Sequence, residues 1–259
     1  MGKSESSVQS AVYNALRNNI MSLQLKPGTA MSTQEIAQKL EVSRTPVREA
    51  FIRLQRDGLV DIYPQKETIV SRIDFQKVEQ ERFLRESLEC SNIDLFVEKF
   101  TSRDISELEL NIERQNSTVT DCNYNSLLEL DNEFHHYMFK VTGQKLAWET
   151  IEHSSNHYAR IRLITVWNKD IMTETILQHQ KILSALQDKN AEYAKIAMKA
   201  HLHKLENQIA QIMKEYPDYF VKEKQSKENG HYIQEFQTDR GLRQTSYQPL
   251  CLVWIKNHH

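Results

Sequence analysis

The run Val42-Ser43-Arg44-Thr45-Pro46-Val47-Arg48-Glu49-Ala50-Phe51 constrains this chain more than any other stretch. Ser43 and Thr45 are residue types that hold a helix N-terminus, and Pro46 suits a first turn whose backbone donors are unpaired in any case. Val47, Phe51 and Leu54 follow at helical spacing, so a helix is predicted to start here. Arg44 and Arg48, four apart, share one face of its opening turns beside two hydroxyl residues that can donate to phosphate oxygens or base edges. A helix N-terminus with that chemistry fits a DNA major groove. A surface helix with solvated arginines is the plainer alternative.

Upstream, Val12, Leu16, Ile20 and Leu23 make an amphipathic helix that Lys26-Pro27-Gly28-Thr29 ends. Ser32-Thr33-Gln34-Glu35 reads as a capping box opening a short second helix with Ile36, Ala37 and Leu40 inward. Glu41 and Val42 alone then separate it from the third helix, the tight connection of a helix-turn-helix. Gly58 closes the third helix, and Leu59 to Tyr63 and Thr68 to Ser71 read as strands around Pro64-Gln65-Lys66-Glu67. Three helices followed by a hairpin make a winged helix-turn-helix, assigned to residues 1–73.

Leu25-Lys26-Pro27-Gly28, Val42 to Ala50, and Leu54-Gln55-Arg56-Asp57-Gly58-Leu59-Val60 together resemble the DNA-binding head of the GntR family of bacterial transcription regulators. The resemblance implies recognition-helix contacts from Arg44, Thr45 and Arg48, with Ser43 nearby. Two positions depart from the family pattern. Gln34 stands where such regulators often have an arginine, and Glu67 stands where the wing tip usually has a glycine, bringing a carboxylate that repels phosphate. Gln34, and Gln65 and Lys66 on the wing, are the remaining expected contacts.

Low counts of Gly 6 and Pro 5 in 259 residues disfavour turn-rich β architectures and predict long helices. A mean hydropathy of -0.62, with no long apolar run, predicts no membrane span. The opening Met1-Gly2-Lys3-Ser4-Glu5-Ser6-Ser7 lacks the apolar core of a secretory signal, and Cys90, Cys122 and Cys251 suggest neither a disulfide framework nor a thiolate zinc site. The expected location is cytoplasmic. The net charge of -2 is uneven: residues 1–73 carry +3 and the remainder -5, which suits a basic reading head on an acidic body.

After Asp74 no strand pattern recurs. Leu84, Leu88 and Leu95 mark one helix, Ile105, Leu108 and Ile112 a second, and Leu127, Leu130, Phe134, Met138 and Val141 a third that Gly143 stops. Trp148, Ile151, Ser155, Tyr158 and Arg162 trace a fourth, Ile176, Leu183 and Leu186 a fifth, and Ala194 to Ile212 a long sixth. The expectation is a mainly α chain, with the winged head followed by an all-α antiparallel bundle over residues 74–220. His179 completes one apolar stripe and His201 another, while Asp131 and His135 share a helix face beside Leu130, Phe134 and Met138. One carboxylate and three imidazoles converging from three helices suit a divalent ion such as Zn²⁺, Ni²⁺ or Mn²⁺. His136 and His203 lie off these stripes and are expected to face solvent. Tyr158 and Arg162 share a face with Ser155, where Arg162 would form the far wall of a pocket; Arg160 points the other way.

Arg85-Glu86-Ser87-Leu88-Glu89, Asp131 to His135, Gln178 to Ile182 and Met198 to His201 resemble the FadR C-terminal (FCD) effector domain of the same family. The resemblance implies that Asp131, His135, His179 and His201 ligate a divalent metal. It also implies a small carboxylate or sugar-acid effector that completes the metal's shell, with Arg162 and Tyr158 beside it. A metabolite-responsive regulator follows, a repressor acting as a homodimer on palindromic double-stranded DNA. The competing class is a metal-dependent hydrolase with an accessory DNA-binding head. Against it, no second carboxylate stands out as a general base. Residues 221–259 combine a charged linker with the apolar run Leu250 to Ile255 and receive no assigned role.

Overall fold

The computed structural model describes residues 2–121 and 123–222; Cys122 and the segment from Glu223, which holds Cys251 and the apolar run, lie outside the described residues. Helix α1 (Gly2–Met21) packs Val12, Leu16 and Ile20 against the third helix of the head. Strand β1 (Ala30–Met31) precedes α2 (Thr33–Lys39), whose first turn is capped by the Ser32 hydroxyl accepting from the Glu35 amide at 3.1 Å. Glu41 turns the chain in the left-handed region at φ 54, and α3 (Arg44–Arg56) follows. Val47, Ala50, Phe51 and Leu54 are the buried face of α3. Each large apolar side chain buried there is worth about 1.5–3 kcal/mol.

Strands β2 (Val60–Ile62) and β3 (Thr68–Val70) form the wing. The expected hairpin is one strand short of the sheet observed, whose order is β1-β3-β2, with Ala30 opposite Ile69 and Val60 opposite Val70. A two-residue strand carries too little alternation to be read from sequence. At the wing tip the Lys66 amide bonds the Tyr63 carbonyl at 3.1 Å, with Pro64 and then Gln65 at φ 60 between them. That is a type II turn, whose left-handed residue is Gln65 rather than Glu67.

The linker from the wing enters α4 (Phe75–Lys99), capped by Asp74. Then come α5 (Ser102–Thr120), α6 (Tyr124–Thr142, ended by Gly143 at φ 78), α7 (Lys145–Ser154) and α8 (Asn156–Thr165). The remainder is α9 (Lys169–Gln187), α10 (Ala191–His203), α11 (Glu206–Glu215) and a 3₁₀ turn at Pro217–Tyr219. Helix α10 packs on α9 and α4, α5 on α6 and α9, and α4 on α6 and α8, which encloses the main core. The stretch expected as a fourth helix is therefore two, broken at Ser155, and the expected long sixth is broken at Lys204 and Leu205. Helix α4 also inverts the leucine expectation. Leu84, Leu88 and Leu95 are half-buried, whereas Arg85, Glu89 and Asn92 are buried among the other helices.

The linker is held on two sides. Ile73 pairs with the chain's return: its amide bonds Tyr219 O at 2.8 Å, and the Val221 amide bonds Ile73 O at 3.0 Å. From the other side α8 reaches in. Arg160 donates to Ser71 O at 2.7 Å, the Asp74 amide donates to His157 Nδ1 at 3.1 Å, and Asn156 donates to Asp57 O at 2.7 Å.

Candidate functional site

Helix periodicity aims four polar side chains into the bundle. Asp131 and His135 come from α6, His179 from α9 and His201 from α10, all buried, with one ligand atom from each lying within 4.8 Å of the others. Asp131 Oδ1 is 3.5 Å from His179 Nε2 and 3.8 Å from His201 Nε2, while Oδ2 is 3.7 Å from His135 Nε2. Ligand atoms sharing one ion at about 2.0–2.2 Å stand roughly 3–4 Å apart, so the spacing fits a small divalent cation.

The outer ring nitrogens decide what the inner ones offer. His135 Nδ1 bonds the Glu89 carboxylate, His179 Nδ1 bonds Gln115 Oε1 at 2.7 Å, and His201 Nδ1 bonds Gln178 Oε1 at 3.1 Å. All three partners are acceptors, so each Nδ1 carries the proton and each Nε2 lone pair faces the centre. Two such lone pairs, on His135 and His201, then face each other at 3.2 Å, and His179 Nε2 is buried with no hydrogen-bond partner. Buried lone pairs with no donor are costly and repel one another; a cation between them removes both penalties. The donor set therefore fits a divalent metal.

The charges agree. Burial alone would raise the Asp131 carboxyl, but the Arg162 guanidinium bonded to it holds it well below the usual carboxylate range. Burial pushes His179 and His201 far below the ordinary imidazole value, keeping both neutral as metal ligands must be. Glu89 is held down to about 2: burial opposes its charge, and His135 and Arg85 overcome that. Arg85 Nε donates to Glu89 Oε1 at 2.5 Å.

On the head, Ser43, Arg44, Thr45 and Arg48 are exposed together at the N-terminus of α3. Ser43 occupies the capping position, yet its hydroxyl makes no capping bond, which leaves it available outside the helix. Gln34 accepts from Arg44 Nη2 at 3.4 Å, so its expected role shifts from a contact of its own to a neighbour of Arg44. Lys66 is exposed on the wing beside Gln65. Arg53, one face round the helix, is taken up by the Tyr13 ring at 3.7 Å.

Residues 8–70 match the model of the gntR family of bacterial regulatory proteins, and residues 82–204 match the FCD domain. Across 216 residues, 83% of this chain and 95% of the relative, it is 32% identical to the HTH-type transcriptional repressor RspR of Escherichia coli. This chain belongs to the GntR family. A second relative, an HTH-type transcriptional regulator in an unstable DNA locus of Streptomyces ambofaciens, is 31% identical over 210 residues, covering 81% of this chain and 88% of that one. In fold, the chain is similar to E. coli McbR/YncC, with a TM-score of 0.66 at 23% identity over 81% of this chain and 98% of that one. A GntR regulator from Rhodococcus has the same TM-score of 0.66, at 22% identity, with 79% and 98% covered. Like its family, the chain is a DNA-binding transcription regulator with a winged helix-turn-helix head and an FCD domain.

Within this GntR regulator three expectations need correction. Arg162 is not a far wall: its guanidinium bonds Asp131 Oδ2 itself and reaches Asn132 Oδ1 at 3.0 Å. Tyr158 is buried beside it but turns its hydroxyl to Leu202 O at 3.1 Å. A second buried carboxylate, Glu89, does stand beside the cluster, with one oxygen bonded to Arg85 and the other to His135, so it orients the histidine and pairs with the arginine. The spacing of Arg85 and Glu89, four apart on a helix, was the available signal for them, but it is shared with ordinary surface ion pairs. His136 is exposed and stacks on Trp148 at 4.9 Å, whereas His203 is half-buried between Glu86 at 2.7 Å and Glu206 at 2.6 Å.

Proposed function

We propose that this regulator is a metal-dependent sensor: Asp131, His135, His179 and His201 hold a divalent ion such as Zn²⁺, Ni²⁺ or Mn²⁺. A small carboxylate or sugar-acid effector completes that ion's coordination, with Arg162 and Tyr158 alongside. When bound, the metal supplies a Lewis-acid anchor for the effector's carboxylate. The protein's own part is to orient the imidazoles through Glu89, Gln115 and Gln178, to keep Asp131 ionised through Arg162, and to exclude bulk water by burial. The observation that carries this reading is the unpartnered Nε2 of His179, facing the same point as the other two imidazoles.

The DNA-reading part of the proposal assigns base and phosphate contacts to Ser43, Arg44, Thr45 and Arg48, with Gln34 and Lys66 supporting. It takes residues 1–73 as the reading head and 74–220 as the sensor, working as a homodimer that represses from a palindromic operator, as two-fold symmetry requires. The engaged Glu89 argues against the hydrolase alternative. Metal content of the full chain, measured by elemental mass spectrometry, tests the sensor: about one divalent ion per chain is expected, lost in His179→Ala and in His201→Ala. Full occupancy in those variants would reject the site. Arg48→Ala is expected to cost about 1–3 kcal/mol of sequence-specific DNA binding with the fold retained, and undiminished discrimination would reject the recognition-helix assignment.

A further inference from the structure

We propose that the ligand completing this centre is a compact dianion, a short dicarboxylate, rather than a monocarboxylate. The inference rests on the metal reading above and narrows it. Four ionised side chains that surround the centre are buried: Asp131 and Glu89 are negative, Arg85 and Arg162 positive. They already balance one another. The three imidazoles are neutral donors, so a divalent ion leaves two positive charges uncompensated. Lys204, which donates to Thr175 Oγ1 at 2.7 Å, supplies no negative charge against that excess. Excess like charge out of contact with water is expensive, and an anion is the remedy. One negative charge halves the excess, and two remove it.

The second observation is a donor with nothing to donate to. Arg85 is 2% exposed, its Nε is committed to Glu89, and its Nη2 has no hydrogen-bond partner, standing 4.0 Å from Asp131 Oδ2. Arg85 and Arg162 lie 5.9 and 5.7 Å from the centroid of the same Tyr158 ring, so both guanidiniums border one wall of the centre. A buried guanidinium nitrogen with no acceptor is satisfied by a carboxylate oxygen in a charge-assisted hydrogen bond. The metal takes one carboxylate and the unpartnered Nη2 an oxygen of a second, which is the arrangement of a dicarboxylate. A phosphate monoester carries similar charge but concentrates it on one tetrahedral group, which suits two separated cationic sites less well.

The test uses the full chain loaded with zinc, its metal content measured first, and thermal unfolding followed with acetate, malonate, succinate or inorganic phosphate at matched ionic strength. Malonate or succinate is expected to raise the Tm by roughly 5 °C or more at a hundredfold excess over its Kd, with acetate giving a small fraction of that. Arg85→Met, still carrying zinc, is expected to lose the preference of dianion over acetate, and Arg85→Lys, which keeps the charge, to retain part of it. Equal shifts from acetate and the dicarboxylates, or no shift from any of them, in zinc-loaded protein would overturn the inference while leaving the metal site standing. Phosphate outranking both dicarboxylates would overturn the assignment to a carboxylate. Protein that takes up no zinc would overturn the metal reading and this inference with it.

Discussion

At the scale of the residue, Glu89 sets how strongly His135 can donate to a cation. Its carboxylate accepts the Nδ1 proton of His135 and holds Arg85 through the other oxygen, whereas His179 and His201 are oriented by neutral amides. An anionic acceptor makes the imidazole a better ligand than an amide does. Glu89→Gln is therefore expected to lower metal affinity by about 10- to 100-fold in a chelator competition, with the far-ultraviolet circular dichroism unchanged. The same change removes the nearest anion of a buried arginine, so urea unfolding should show a loss on the order of 3 kcal/mol. Unaltered affinity for the metal would show that the carboxylate does no more than pair with Arg85. That Asp131, His135, His179 and His201 face inward together was legible in the sequence because each sits on an apolar stripe, where a polar residue stands out. Glu89 was not, because the leucines of α4 suggested a different inward face and nothing local marks an acidic residue as buried.

At the scale of the element, α8 shows what periodicity leaves out. Trp148 to Arg162 keeps helical spacing, so nothing in the apolar pattern announces the break at Ser155. What fixes the break is tertiary: the Glu81 carboxylate, from α4, accepts from the amides of His157 and Tyr158 at 2.8 and 2.7 Å and so caps a helix that starts afresh at Asn156. The head's three helices, by contrast, were legible from Ser32, Pro46 and Gly58, since caps and breakers act within a few residues. Burial raises Glu81 to about 7 against those two amides and Arg160, while burial, then Arg160 and Lys77, lowers His157 to about 3. The two have opposite linkage. Glu81, raised from 4.5, contributes stability that is present at low pH and lost as pH rises toward 7. His157, lowered from 6.5, contributes stability that is present above that value and lost as pH falls toward 3. Between about pH 4.5 and 6.5 they offset. Glu81→Gln keeps an acceptor and removes one of the two slopes, so its Tm relative to the wild type is expected to climb across that window, by about 2–4 °C for each kcal/mol released. Parallel Tm curves for the two proteins would rule out a titrating Glu81.

At the scale of the whole molecule, α8 touches both places where the regulator works. Its Arg162 holds Asp131 of the buried Asp–His cluster, and two residues earlier Arg160 holds Ser71 O, just past the wing. Its first residue, Asn156, bonds the carbonyl of Asp57, the C-cap of α3, and His157 packs beneath the turn at Gly58. Helix α3 thus ends on the same short helix that carries the partner of the clustered carboxylate Asp131. If a metal or effector draws on Asp131, what holds Arg162 changes, and the ten-residue helix α8 would carry that shift to both head contacts. Such coupling changes affinity only if the head contacts differ between the two states. Arg160→Gln and Asn156→Ala remove those contacts without touching the centre. In both, metal content and the DNA affinity of the chelated protein are expected to stay near the wild-type values, at a stability cost of about 1–3 kcal/mol for the carbonyls left unpaired. The change in DNA affinity on loading the metal, measured by fluorescence anisotropy on a duplex selected by the wild-type protein, is expected to shrink toward nothing from a coupling of roughly 5- to 150-fold. Retention of the full wild-type difference in both variants would mean that α8 only supports the head, and the route between centre and recognition helix would have to run through α4 and the Ile73 linker instead.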